Sequence, residues 1–355
     1  MKLKELLRKS DFIVFVAANL KMYRNSDERQ YMRTIIKKVA HLKGKSRFSV
    51  RFDMFVKCLC SSACFTDYYL LNFYNMTLRE TTYYLSGARW SKLHHYLKSP
   101  EARSILNDKA RFLAAFREFT RRDFFYITDA ATTEELEEFI RKHSSFIAKP
   151  NRLNSGRGVE LVDTQSFPDT ETLLSYLRKN QTVLLEERIM NHVSLAKYSE
   201  RSLNTMRIVS VRTEDGVKLI CAFLKFNTKG GIVDNLSAGG YACPIDIQTG
   251  NLVRGMTGIK ELTNIFLPRH PKGFLFEGES IPFWSETVDM VIKAMDALNE
   301  AFYVAWDVAV TDDGPVIVEG NNNPGHIIQA ISGVPIYKDI KKASKYARKC
   351  LRQIV

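Results

Sequence analysis

No apolar run in the 355 residues approaches the roughly 18 to 20 that a bilayer-spanning helix needs; the best, Asp11 to Leu20, is broken at Asn19. An integral membrane protein is therefore not expected. Glycine (18) and proline (10) are too scarce for a collagenous or low-complexity chain. With 45% hydrophobic and 26% charged residues the composition is that of a packed protein, and the length predicts two or three units. Cysteine is also sparse. Six residues and no secretory pattern point to a reducing, cytoplasmic location. Cys58, Cys60 and Cys64 cluster in an apolar, aromatic stretch without the paired knuckles of a zinc module, so buried free thiols are the expectation. Acidic residues are the minority sign, 39 against 52 Lys and Arg, for a net charge of +13. That excess favours anionic partners: nucleotides, nucleic acid, acidic sugars or the inner membrane surface. It is concentrated in the first 50 residues, where thirteen Lys and Arg face four acids.

Up to about residue 110 apolar and aromatic residues recur at helical spacing and glycine is nearly absent, which predicts a mostly helical, basic region at 1–108. The clusters Tyr68, Tyr69, Tyr83, Tyr84 and Trp90 read as helix packing rather than a base-stacking platform, and no nucleic-acid partner is expected. From there the texture is α+β. A first lobe, 109–190, alternates in a βαβ-like way: strands near Phe124–Thr128, Phe146–Lys149, Val159–Val162 and Val183–Arg188, with a helix starting at Thr132 and another through Leu173–Leu177. A second lobe, 191–355, opens with strands Met206–Arg212 and Val217–Phe226. It continues with a helix from Ser285 and closes on the hairpin Val304–Val310 and Pro315–Gly320, before a basic helix from about Lys338.

That hairpin, AWDVAVTDDGPVIVEGNNNPG, carries the strongest local signal. A three-residue loop, Asp312 to Gly314, would set Thr311 opposite Pro315 and hence Asp307 opposite Glu319, with Cβ atoms about 4.5 to 5.5 Å apart on one face. Asn321 continues that face. Two carboxylates and an amide oxygen suit Mg²⁺, which is usually held by one or two carboxylates plus phosphate oxygens. A second stretch, FIAKPNRLNSGRGVELVD, is a strand, a loop with Ser155, Gly156 and Gly158, and a return strand. Closely spaced glycines let backbone N–H groups approach phosphate, and Lys149 would neutralise it. VLLEERI puts Glu186 and Glu187 at the end of an apolar strand, where an edge could serve adenine and ribose. SLNTMRIVSV buries Arg207, which then needs an anion.

In this order the residues resemble the ATP-grasp superfamily, and more narrowly its sugar-transfer-associated branch found with bacterial polysaccharide biosynthesis. The resemblance runs from about Asn107 to Gly333 and rests on NDK, FIAKP with SGRG, LLEERI, SLNTMRI, VDNLSAGG, HPKG with IPFW, and WDVAV with VEGNNNPG. It implies an ATP-grasp fold, two α+β lobes clasping ATP. It further implies that Lys109 and Lys149 grip the phosphates, that Ser155 to Gly158 form a lid, and that Glu186, Glu187 and Ile189, followed by His192, hold the nucleoside. Asp307, Glu319 and Asn321 would bind Mg²⁺. Arg207 would stabilise the transferred phosphoryl group, with Lys225, where relatives tend to carry arginine, and Asn235 beside it. Ser237, Gly239 and Gly240 would face the second substrate. The implied activity is ATP-dependent ligation of a carboxylate, on an acidic sugar or polysaccharide precursor, to an amine or amino acid; the alternatives are a phosphotransferase on a sugar-linked substrate and, from the basic first 50 residues, a module that binds anionic surfaces. Association with polysaccharide-assembly machinery at the inner membrane is the implied partnership.

Overall fold

In the first third of the chain helical periodicity becomes three long helices, Asp11–Arg24, Ser26–Lys43 and Arg47–Ser61, followed by short ones. Caps set their ends. The Asn25 side chain accepts from the N–H groups of Asp27 and Glu28, Gly44 ends the second helix at a left-handed φ of 58°, and the Ser46 side chain accepts from Ser49 N–H. The apolar stripes close over Ile35, Val39, Val50, Met54, Tyr68, Tyr69 and Phe73, so the buried tyrosines are packing residues. This computed structural model describes residues 11–97, 99–150, 158–199, 201–234, 236, 239–258 and 266–353. All six cysteines are free. Burial pushes the Cys58 thiol well up, and with Asp67 nearby it pushes Cys64 up to about 12, which leaves both inert. Cys60 departs from the expectation of burial and is exposed. No helix among the described residues is long and apolar enough to cross a membrane.

The first sheet holds β1 (Phe124–Tyr126), β2 (Ser145–Lys149), β3 (Glu160–Asp163) and β4 (Leu184–Glu187) in the order β1-β4-β2-β3, with every neighbouring pair antiparallel. The βαβ alternation read from the sequence survives in split form. β1 and β2 are linked by helix Thr133–Lys142 and run parallel with β4 inserted between them. Likewise β3 and β4, linked by Thr170–Lys179, have β2 between them. The Thr132 and Glu135 capping box starts the first of these helices.

The second sheet holds β5 (Thr205–Thr213), β6 (Gly216–Phe226), β7 (Tyr241–Ile245), β8 (Tyr303–Thr311) and β9 (Gly314–Asn321) in the order β7-β6-β5-β8-β9. Both of its faces are covered. Helix Trp284–Asp296 packs Met290, Val291 and Met295 against Val304, Trp306 and Val308 on one face, and the C-terminal helix Tyr337–Gln353 packs Ile340, Ala343 and Ala347 on the other. Packing does not divide at the expected 108/109 boundary. Leu106, Phe112, Phe116 and Phe119 belong to the core of the five-stranded sheet, while the core of the first sheet spans Ile127 to Leu185.

The β8–β9 hairpin corrects its own prediction while keeping the outcome. Thr311 pairs with Gly314 and Val310 with Pro315, so the loop is two residues, Asp312 and Asp313, rather than three. A bulge then restores the count. Val308 pairs with Ile317 but Asp307 with Glu319, leaving Val318 as the extra residue.

Side-chain bonds tie the helical unit to the loop and short helix that follow this hairpin. Buried Asp67 accepts from the N–H groups of Cys64 and Gly87, both at 3.0 Å, and pairs at 3.1 Å with the ring of His326, five residues beyond Asn321. Gln329 is likewise bonded to both backbone groups of Leu85.

Candidate active site

Residues from both sheets line one cavity of about 870 Å³, within the roughly 300 to 1,000 Å³ of small-molecule sites. Its polar floor is β8 and β9. Alternation places Asp307 on the face of Ala305 and Ala309, and β5 brings Arg207 directly opposite it in register. The guanidinium grips Asp307 with two bonds, Nε to Oδ1 at 2.6 Å and Nη2 to Oδ2 at 2.8 Å. From β6, Lys225 Nζ donates to Oδ2 at 2.9 Å. Burial alone would push the Asp307 carboxyl up; Arg207 and Lys225 outweigh it and hold the carboxyl far below the usual carboxylate range. Among the described residues Glu319 has no comparable grip. Burial and the nearby Asp307 charge push its carboxyl up. Asn321 lies two residues along the strand, its Oδ1 accepting from Asn323 N–H at 2.9 Å.

The first sheet supplies the opposite wall. Glu186, on β4, is buried and paired with Lys149 from β2 and with Arg122 Nε at 2.8 Å. Burial would raise its carboxyl, but Arg122 and Lys149 together lower it. Lys109, at the start of a helix of the second core, projects into the same space. Burial lowers its ammonium and Glu319 partly offsets this. Apolar residues Ile147, Leu161, Ile189, Phe112 and Leu113 complete the wall. Two quoted motifs meet here as well: Asn322 Nδ2 donates to Asn107 Oδ1 at 2.8 Å.

Of the residues singled out in the sequence, Lys109, Lys149, Glu186, Glu187, Ile189, Arg207, Lys225, Asp307, Glu319 and Asn321 all line the cavity. His192 does not. Its N–H donates to Val310 O at 2.7 Å, which carries the ring outward to Ser194, Phe283 and Asp312 at the hairpin tip. Gly158, Gly239 and Gly240 are described but do not line it, the first two holding left-handed φ values of 71° and 92°. Ser155, Gly156, Asn235 and Ser237 lie outside the described residues. Glu187 turns partly outward, accepting from Asp123 N–H at 2.9 Å.

Two important residues escaped the sequence reading. Arg122 donates to Glu186 and, through Nη1 and Nη2, to the carbonyls of Ile317 and Val318, both at 2.8 Å, so one guanidinium bolts the first sheet to the β9 bulge. Asp234 accepts from Thr205 N–H and Oγ1 and stands 3.6 Å from Lys225. As the acid of VDNLSAGG it could have been found; Arg122 sits in no motif.

Gly320, between Glu319 and Asn321, faces inward. A Cβ there would come within 2.6 Å of Leu106 Cδ2 and 3.2 Å of Phe112 Cε2. Gly320→Ala should therefore destabilise by about 1 to 3 kcal/mol, an overpacking cost read as a lower melting temperature; an unchanged melting temperature would mean those side chains yield freely.

A family model described as sugar-transfer associated ATP-grasp matches residues 92–345, which with the two antiparallel sheets bears out the α+β expectation. Among solved structures, the ATP-grasp ligase PsnB, complexed with minimal precursor, is 15% identical over 76% of this chain and 70% of its own, with a TM-score of 0.42. The D-alanine–D-alanine ligase of Helicobacter pylori is 14% identical, covering 73% and 68%, at 0.45. The corresponding ligase of Bacillus anthracis, complexed with ATP, is 14% identical, covering 71% and 69%, at 0.43. No curated protein matches the chain.

Proposed function

Because the chain belongs to the sugar-transfer associated ATP-grasp family, we propose that it is an ATP-dependent ligase that activates a carboxylate as an acyl phosphate and passes it to an amine. The carboxylate in this reading belongs to an acidic sugar or polysaccharide precursor, the part that rests on the family description alone. The observation that carries the reading is the presence of Lys109 and Lys149 together with Asp307 and Glu319 in the lining of one cavity.

The donor set suits a hard divalent cation. Two carboxylates in register and an amide oxygen two residues on are oxygen ligands of the kind Mg²⁺ takes, and Asp307, Glu319 and Asn321 would hold it. When bound, such an ion neutralises phosphate charge. The protein does the rest by position. Arg207 and Lys225 fix the Asp307 carboxylate, so its oxygens need no reorganisation as charge develops. Lys109 and Lys149 would receive the phosphates, and the apolar wall of Ile147, Leu161 and Ile189 would take the adenine. Water must be kept from the acyl phosphate, since hydrolysis would waste it.

Incubation with ATP, Mg²⁺ and a panel of acidic sugars and amines, with products read by mass spectrometry, tests this. Amide product, with ADP and phosphate released only when both partners are present, is the expected result. ADP formed with the carboxylate compound alone, together with a stable phosphorylated product, would replace the ligase by a phosphotransferase.

Lys149→Ala should weaken ATP binding roughly 10- to 150-fold, the equivalent of one charge-assisted hydrogen bond of about 1.5 to 3 kcal/mol. Calorimetric titration with ATP checks it, and an unchanged dissociation constant would remove Lys149 from the nucleotide site.

A further inference from the structure

Helix Arg47–Ser61 buries Val50, Met54 and Cys58 yet leaves Phe48, Phe52 and Phe55 exposed by 79%, 65% and 48%. They fall at i, i+4 and i+7, one stripe on the side away from the core. Isolated exposed aromatics are ordinary, but three on one face of one helix form a contiguous apolar ridge. An edge contact of Phe55 with Phe15, 6.4 Å between ring centroids, joins this ridge to helix Asp11–Arg24, which adds exposed Phe12.

At the N-terminal end of this helix the exposed charge is basic among the described residues. Lys43, Lys45, Arg47 and Arg51 are all exposed around the N-terminal end of the helix. The helix has a single acid, Asp53, and this is turned inward to Lys57 at 2.9 Å and the Tyr68 hydroxyl at 2.6 Å. Its first turn carries no acid. Cations therefore crowd the end where the backbone dipole is already positive, an arrangement unfavourable on its own and favourable against external anions.

We infer that this face docks the protein on an anionic lipid bilayer, with Phe48, Phe52 and Phe55 entering the boundary between headgroups and acyl chains and Lys43, Lys45, Arg47 and Arg51 meeting the lipid phosphates. Aromatic residues on one side and cations along the flank are what an interfacial helix uses. A second copy fits less well, because a two-fold contact would set the same four cations against themselves. The inference stands apart from the ligase reading, since none of these residues lines the cavity.

Flotation of the full chain with vesicles tests it. The protein should rise with phosphatidylcholine vesicles containing phosphatidylglycerol and stay behind with phosphatidylcholine alone. The combined Phe48→Ser, Phe52→Ser and Phe55→Ser variant should lose at least about tenfold in vesicle affinity, as should Arg47→Glu with Arg51→Glu. Phe52→Trp, which keeps the ridge intact, should show a blue-shifted increment of emission when anionic vesicles are added. No flotation of the wild-type chain, or equal flotation by the variants, would overturn the inference. So would sedimentation showing a wild-type dimer that the serine variant dissociates, which would give the face to a second copy.

Discussion

Asp307→Asn should abolish Mg²⁺-dependent ATP turnover, by roughly 10²- to 10³-fold or more, and should also lower stability by about 3 to 5 kcal/mol. The two effects have one origin. Asp307 is the only carboxylate bonded to both Arg207 and Lys225 among the described residues, and an asparagine leaves the buried Lys225 and the partly buried Arg207 facing a neutral amide. Asp234, 3.6 Å from Lys225, can take part of that charge but reaches only the lysine. The pH dependence separates the pair from a mere packing change. Because Arg207 and Lys225 depress the Asp307 carboxyl in the folded state, its stabilisation is complete above the unfolded value, about 3.9, and is lost as pH falls through the lower folded value. The stability gap between wild type and Asp307→Asn should thus be constant near neutrality and shrink in acid. ADP release and denaturant melts across pH read both effects; undiminished turnover would end the assignment of Asp307 to the catalytic floor.

Arg122→Ala should cost a similar amount, about 3 to 5 kcal/mol, because it removes one partner of a buried ion pair and strands two backbone carbonyls. Lys149 would remain on Glu186, so the first sheet should still fold. What should fail is the alignment of its wall with the β9 bulge. The expected signature is a raised KM for ATP together with a lower kcat, since Lys149 and Glu319 would no longer be held at a fixed separation. Arg122→Lys is the sharper variant: it keeps the charge, but one ammonium cannot reproduce a fork that reaches Glu186, Ile317 and Val318 together. It should restore most of the melting temperature and little of the kinetics. Full kinetic recovery in the lysine variant would reduce Arg122 to a counter-charge.

The sequence made the floor of the cavity legible because its residues lie close together on a single hairpin, where alternation and pairing are local rules. Even there the agreement had two parts that offset each other: the loop is one residue shorter than read, and the bulge at Val318 supplies the residue back. Arg122 was invisible for the opposite reason. Its three partners lie 64, 195 and 196 residues away, and no periodicity or spacing registers such contacts. His192 lies off the cavity because its place is set by a backbone bond to Val310, which turns the ring out to the hairpin tip, and no motif registers that bond. Packing crosses the boundary near residue 108, since Leu106 and Phe112 both join the core of a sheet formed much later in the chain, a contact that local composition does not register.

The family match begins at residue 92, whereas Asp67 and Leu85 precede it. Trimming the chain to that match would strip His326 of its carboxylate and Gln329 of both its bonds to Leu85, loosening the loop that descends directly from Glu319 and Asn321. The helices ahead of the match thus buttress the floor of the cavity, and a shortened chain used to test the proposed activity has to keep them.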